Sequence, residues 1–359
     1  MKHVTLMIAT AAICISTTAL SRPFFDPRSE RSDAVDSDAA FAAAPRDAAC
    51  FAPKLVSTGG AAPANAHTLA VRWTGFSNFE LVYGGKIILL DAFFDRGSNY
   101  VPLGFKAAEV GKADAILIGH AHFDHMSDAA SVGLRTGATI VGAPVTTEKL
   151  AAQGVPAAQI RTVSGRGEEL LKFDGFSVQP ILARHGQPDK HITEVMEGAL
   201  NSVAPKETPE QVAEEKEIMA RGTFDPRIIN EGTIAYLIRF DDGFSIIYRD
   251  SGGQITEQEK AAFANVGGVD LALLAITADF LNPLTAKQAV EYVQLFKPVV
   301  FMPAHYDAGF SGHTPLWRAT EPVFQAIKEE RPDIVTVSRG YREPVCFDTD
   351  INREHHERR

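Results

Sequence analysis

Between Leu69 and Phe94 the chain falls into short runs rich in apolar β-formers, LAVRWTG (69–75), SNFELVY (77–83) and KIILLDAFF (86–94), the last two separated by Gly84-Gly85. Short runs of β-formers bounded by turn residues predict strands, and a Gly-Gly pair between two strand patterns predicts a tight hairpin. DAILIG (114–119), ATIVGA (138–143), IRTVS (160–164) and FSVQPILAR (176–184) follow, interrupted by helical patterns such as TTEKLAAQ (146–153). After residue 231 the style returns. TIAYLIRF (233–240) and FSIIYRD (244–250) flank the turn Asp241-Asp242-Gly243, LALLAI (271–276) follows, TAKQAVEYVQLF (285–296) is amphipathic, and PVVFMPA (298–304) reads as a buried strand. Strands dominate each half with helices between them, and no repeat of fixed period relates the halves. The expected class is α/β: two mixed β-sheets face to face with helices on the outer faces, a four-layer sandwich that buries every apolar face.

Several segments fall outside this pattern. In residues 1–21, MKHVTLMIATAAICISTTALS, Lys2 precedes an apolar stretch from Val4 to Ile15 that ends on small residues. That is the layout of an export signal peptide cleaved near Ser21; a membrane anchor or a first helix of the fold is the alternative, and the apolar part is short for a bilayer span. An exported protein, periplasmic or secreted and without a stable membrane span, is the expectation. Residues 22–67, rich in Ala, Pro, Asp and Ser, read as an extended N-terminal arm or linker, residues 68–348 as the folded domain, and residues 349–359 as a charged tail. Within the domain, residues 186–231 interrupt the strand rhythm. There Thr208, Pro209 and Gln211 spell a capping box that starts a charged helix, either a lid or a solvated surface helix.

With 45% apolar residues in 359, the chain has ample material for a core. A formal net charge of −10 argues against a surface that grips nucleic acid or anionic lipid and leaves a small molecule as the expected partner. Removing the signal leaves Cys50 and Cys346, which in an oxidising compartment would join the N-terminal segment to the last strand; two unrelated buried thiols are the alternative.

The chemistry concentrates in HAHFDH, His120 to His125, directly behind the apolar run AILIG. Imidazole and carboxylate are the side chains that bind zinc and similar ions without a thiol. His120 and His122, two apart at a strand end, project to one side, while Asp124 and His125 follow where a helix is expected to begin at Met126 or Ser127. A structural histidine cluster is the bland alternative. Asp91, His185, Asp250 and His305 share one grammar, each directly following a run of β-formers. Side chains at strand ends sit on a rigid scaffold yet face a cleft, although a lone residue there is more often a turn or cap.

Together and in this order these residues resemble the metallo-β-lactamase superfamily. The H-x-H-x-D-H signature is matched by His120, His122, Asp124 and His125, and the other motif positions by Asp91, His185, Asp250 and His305. The resemblance spans roughly Leu69 to Val345. WTGFSNFELVYGGKIILLDAFF and PVVFMPAHYD look most like the branch of ascorbate-phosphate lactonase and the phosphatidylethanolamine-type phospholipase D enzymes. It implies that His120, His122 and His185 hold one divalent ion, Asp124, His125 and His305 a second, and that Asp250 bridges them. Zinc is the expected metal, with manganese or iron compatible with the carboxylates. Asp91 is implied to hold the hexapeptide loop through hydrogen bonds without touching metal. One departure is Arg249, where the family often has glycine, so this cation must point away from the ions.

The implied activity is hydrolysis of an ester, lactone or phosphodiester by an activated water, with Asp124 taking the proton of the nucleophile. A carboxylate at Asp250 fits lactonase and phosphodiesterase relatives better than β-lactam amide hydrolases, which usually carry Cys or Ser there. That second activity and a non-catalytic metal-binding or sensing protein are the alternatives. Tyr306, His191 and His313 are candidate donors to a developing oxyanion or leaving group.

Overall fold

The computed structural model describes residues 52–55, 57–59, 61–63, 65–187, 207–276, 283–307 and 317–349. A short antiparallel ribbon, β1 (Ala52–Leu55) and β2 (Ala61–Ala62), lies inside the segment expected to be an extended arm. What pins that segment is a buried charge: Ser57 and Thr58 donate to Glu80, whose carboxylate also pairs with the fully buried Arg72 at 3.0 Å. A buried ion pair must have its remaining lone pairs satisfied, and this stretch supplies the donors.

Next come β3 (Thr68–Trp73), β4 (Phe79–Tyr83), β5 (Lys86–Leu90) and β6 (Ala115–Leu117), then helices α1 (Phe123–Met126) and α2 (Ala129–Thr136). They are followed by β7 (Thr139–Gly142), α3 (Pro144–Ala152), β8 (Ile160–Thr162), β9 (Leu171–Phe173) and β10 (Phe176–Leu182). Helix α4 (Pro209–Met219) starts as expected, with Thr208 Oγ1 accepting from Gln211 N and Gln211 Oε1 accepting from Thr208 N. The chain continues through β11 (Ile234–Phe240), β12 (Ser245–Arg249), α5 (Glu257–Phe263), β13 (Val269–Ala275), α6 (Pro283–Phe296), β14 (Pro298–Ala304), α7 (Trp317–Glu330), β15 (Val335–Thr336) and β16 (Pro344–Asp348).

The long strands form two seven-stranded sheets, in order β16-β3-β4-β5-β6-β7-β8 and β9-β10-β11-β12-β13-β14-β15. Each is mixed. Pairs from β16 to β5 are antiparallel and from β5 to β8 parallel, while β9 to β12 are antiparallel and β12 to β15 parallel. The sheets face each other across one apolar core: the Tyr236 hydroxyl donates to Ile118 O at 2.7 Å, and Phe79 meets Tyr248 edge to face at 6.5 Å. Helices α2 and α3 contact β7, and α5 and α6 contact β10 and β13, so the layering is helix, sheet, sheet, helix. Strands β5, β6, β12 and β14 all belong to the parallel halves, and their C-terminal ends meet at one edge of the sandwich, the edge where α/β sheets present ligand-binding loops. No helix among the described residues is long and apolar enough to cross a membrane.

Candidate metal centre

The site begins where β6 runs out. Ile118 N still donates to Val141 O at 2.9 Å, but Gly119 N donates to the Asp91 carboxylate at 2.9 Å, and Gly119 O accepts from Ile234 N of the second sheet at 2.8 Å. His120 and His122 therefore leave the strand from a backbone anchored on both sides. Helix α1 begins at Phe123, earlier than the Met126 or Ser127 expected from sequence. It is a single turn with His122 as its cap and no side-chain capping bond, so neither periodicity nor a cap residue announces it. That turn carries Asp124 and His125 back toward His120.

All seven implied ligands converge. His120 Nδ1 lies 2.6 Å from Asp250 Oδ2, and its Nε2 lies 3.0 Å from His122 Nδ1. The rings of His120 and His122 each lie 4.6 Å from that of His185, which follows β10. Asp124 Oδ2 lies 3.3 Å from His125 Nε2 and 3.1 Å from His305 Nε2, and His125 Nδ1 lies 3.3 Å from Asp250. Potential ligand atoms fall into three overlapping groups: His120, His122 and His185; His120, His125 and Asp250; Asp124, His125 and His305. Asp250 thus stands between the outer two, sharing its group with His120 on one side and His125 on the other.

Does this set suit a cation? Two observations say that it does. Asp250 Oδ1 and His305 Nδ1 are buried without a hydrogen-bond partner, and such orphans carry a desolvation cost that a bound ion would offset. The histidines are also held in the form that binds metal: burial drives His122 and His185 down to about 4 and His120 well below its ordinary value, so all three are neutral near pH 7. His125 behaves oppositely. Burial pushes it down, but Asp124, Asp91 and Asp250 together outweigh that effect and hold its pKa well above the usual value. Burial raises Asp91 and Asp250, whereas for Asp124 the effect of burial is overcome by His125 and His305, which hold it well below the carboxylate range.

Around the cluster lies a frame of hydrogen bonds. Asp91 Oδ2 meets His125 Nδ1 at 2.6 Å and accepts from Ser77 Oγ at 2.7 Å and the Tyr248 hydroxyl at 2.6 Å, turning His125 Nε2 toward Asp124. Asp91 adopts φ +58°, and Phe76 and His305 also have positive φ, at +47° and +61°. His305 N donates to Phe76 O at 2.7 Å, and Phe76 N donates to Asp307 at 2.8 Å, which ties these strained positions together. Arg249 points away as expected. Fully buried, it pairs with Glu259 at 2.7 Å, donates to Tyr292 and reaches the Arg184 and Gln254 carbonyls. Asp250 therefore meets the histidines without a guanidinium in its way.

Tyr306 is not at the centre. Its ring stacks on Trp73 at 4.3 Å and its hydroxyl lies 3.4 Å from Arg339 O, so packing accounts for it. His191 and His313 lie outside the described residues. Sequence reasoning missed Ser77, Tyr248 and Asp307, which orient the centre, and the aromatic residue Phe224, whose ring lies 5.1 Å from that of His122. Ordinary hydroxyl and carboxylate residues in strands and turns carry no spacing signal. Phe224 belongs to the insert, whose helix reaches the site: Glu214 accepts from Ser98 N and Oγ, and Ile218 packs with Phe76 and Phe93.

Comparison with known proteins agrees with this geometry. The chain is 24% identical over 238 residues to a UPF0173 metal-dependent hydrolase of Methanopyrus kandleri, covering 66% of this chain and 84% of that protein. A UPF0173 metal-dependent hydrolase of Symbiobacterium thermophilum is 35% identical over a shorter 118 residues, 33% of this chain and 49% of that one. Among solved structures, Igni18, described as a novel metallo hydrolase from Ignicoccus hospitalis, superposes with a TM-score of 0.53 at 18% identity, covering 78% of this chain and 98% of its own, a likeness of fold. Residues 86–306 match the family described as the beta-lactamase superfamily domain. That match spans more than half of the 359 residues and contains every one of the convergent histidines and aspartates, and so the chain belongs to the beta-lactamase superfamily.

Proposed function

We propose that the chain, a metal-dependent hydrolase of the beta-lactamase superfamily, holds two divalent ions, zinc by preference, and cleaves an ester, lactone or phosphodiester bond in a small molecule. The observation that carries this reading is the convergence of seven donors with Asp250 Oδ1 and His305 Nδ1 left buried and unpartnered. His120, His122 and His185 would hold one ion, Asp124, His125 and His305 the other, with Asp250 between. When bound, such a pair supplies hydroxide near neutral pH and withdraws charge from the attacked carbonyl or phosphoryl group. Asp124, 3.1 Å from His305 and 3.3 Å from His125, would take the proton of the nucleophile. Asp91 keeps the His125 ring oriented while this happens.

Partial exposure favours catalysis over a closed metal-binding protein: the Asp124 and His305 side chains are each 14% exposed, so this side of the cluster touches solvent. The carboxylate at Asp250 favours ester, lactone or phosphodiester chemistry over β-lactam hydrolysis. The resemblance of the 73–94 and 298–307 segments to the lactonase and phospholipase D branch belongs to the same proposal. The test is elemental analysis of the purified chain, followed by turnover of a lactone, an aryl ester, bis(p-nitrophenyl) phosphate and a chromogenic cephalosporin. Two equivalents of metal with turnover of any of the first three are expected. Turnover of the cephalosporin alone, or of nothing at full metal occupancy, would reject the reading.

Export through residues 1–21, the 68–348 domain with its 186–231 insert, and a Cys50–Cys346 bond are part of the proposal. Cys50 and residues 1–21 lie outside the described residues; Cys346 is fully buried in β16. N-terminal mass and a thiol count with and without reductant test both. An intact Met1 would reject cleavage, and two free thiols in the non-reduced mature chain would reject the bond.

A further inference from the structure

We propose that Phe224 forms an apolar shelf beside His122 that receives an uncharged acyl, alkyl or aryl group of the substrate, which makes an apolar ester or lactone the substrate class. This rests on the hydrolytic reading above and goes further, since that reading leaves ester and phosphodiester equal. Phe224 is 58% exposed, the most exposed large apolar side chain among the described residues, yet its backbone is closely held. Thr223 N donates to Ala121 O at 2.8 Å, within the hexapeptide. Gly222 presses so near that a Cβ on it would stand 2.3 Å from Phe123 N. Only glycine permits that approach, which sets the Phe224 ring 5.1 Å from His122 and 6.2 Å from Phe123.

Behind the shelf the aromatic contacts run into a buried cluster that backs it: Phe123 meets Phe93 at 5.8 Å, and Phe93 and Phe76 meet Tyr100 at 6.0 and 5.6 Å. Three arginines around these rings are already paired with carboxylates, so none of the three is set to hold a charged substituent on the shelf. Arg96 pairs with Asp307, Arg221 with Asp128, and Arg227 with Glu148 and Asp225. Helix α4 adds Glu210, Glu214, Glu215 and Glu217 against one Lys216, a field that repels an anionic substrate. An exposed ring beside a ligand histidine, in acidic surroundings, selects by burying apolar surface.

The test separates the shelf from hydrolysis. Acetohydroxamate and octanohydroxamate present the same metal-seeking head with different tails, and their binding to the zinc-loaded full chain is read by calorimetry. Octanohydroxamate is expected to bind roughly tenfold tighter or better, because added methylenes leave water on the ring. In Phe224→Ser the ratio should shrink to about twofold. Equal binding of the two by the native protein, or an unchanged ratio in the variant, overturns the proposal. Turnover of p-nitrophenyl octanoate against p-nitrophenyl acetate is measured in parallel. Tail preference in binding without turnover of any ester would sink the hydrolytic reading and leave the shelf, whereas turnover without tail preference would do the reverse. Faster cleavage of bis(p-nitrophenyl) phosphate than of the octanoate ester would overturn the substrate class.

Discussion

Gly119 and Asp250 meet across the two sheets so closely that a Cβ on Gly119 would stand 2.0 Å from the Asp250 carboxyl carbon. The carboxylate is the movable partner, because Gly119 is fixed by bonds to Asp91 and Ile234. Gly119→Ala should therefore fold but push Asp250 out from between His120 and His125. The expected outcome is unchanged circular dichroism with metal content lowered and affinity reduced by about 10- to 100-fold, the scale for disturbing a site's supporting geometry. Retention of native metal content would show that this carboxylate is not needed in its present place.

Asp91→Asn probes the frame under His125. The aspartate accepts from Gly119 N, Ser77, Tyr248 and His125. An amide has one accepting oxygen, so at least one of these donors must face an NH2 group. We expect about 10- to 100-fold weaker metal binding with the Tm lowered by only a few degrees, measured by chelator competition and calorimetry. A variant that melts far lower yet binds metal normally would make Asp91 a residue of the fold and not of the site.

Much of this centre was legible in the sequence because its residue types are scarce and its positions are regular. Asp91, His120, His185, Asp250 and His305 each follow an apolar strand run, and the parallel halves of the two sheets bring four of those strand ends to one edge. The hexapeptide supplied the rest. What could not be read depends on contacts between distant segments: the donors Ser77 and Tyr248 on Asp91, the β1-β2 ribbon held through Glu80, and the placement of Phe224 by the Gly222 approach to Phe123. Helix α1 starts before the point that the sequence pattern predicts, because one turn is too short to show a period.

The buried histidines make metal-free protein acid-sensitive. His122 and His185 titrate near 4 when folded, against about 6.5 in an unfolded chain. Between those values the unfolded chain takes up protons that the folded chain refuses, so stability falls as pH falls from about 6.5 to about 4. His125 contributes with the opposite sign: its raised value gives stability that is fully present below about 6.5 and lost at higher pH. Chelated native protein should melt progressively lower from pH 6.5 to 4.5, and the double variant His122→Gln, His185→Gln should show a shallower decline by scanning calorimetry. Parallel declines would mean that these imidazoles take up protons in the fold.

Arg249 offers a prediction about stability independent of metal. Both it and Glu259 have fully buried side chains 2.7 Å apart, and Arg249 is further held by Tyr292 and three backbone carbonyls. Removing one partner of a buried pair leaves the other charge uncompensated, at a cost of about 3–5 kcal/mol, whereas removing both costs far less. Glu259→Gln should thus lower unfolding free energy by about 3 kcal/mol in urea, while Arg249→Met with Glu259→Gln recovers a large part of it. The recovery matters for the site, because Arg249 ends the strand that Asp250 follows, and loosening its buried anchor would shift the backbone that sets that carboxylate. Glu259→Gln should accordingly lower metal content and the double variant restore it; if the single variant keeps both native stability and native metal content, the pair does not shield the centre.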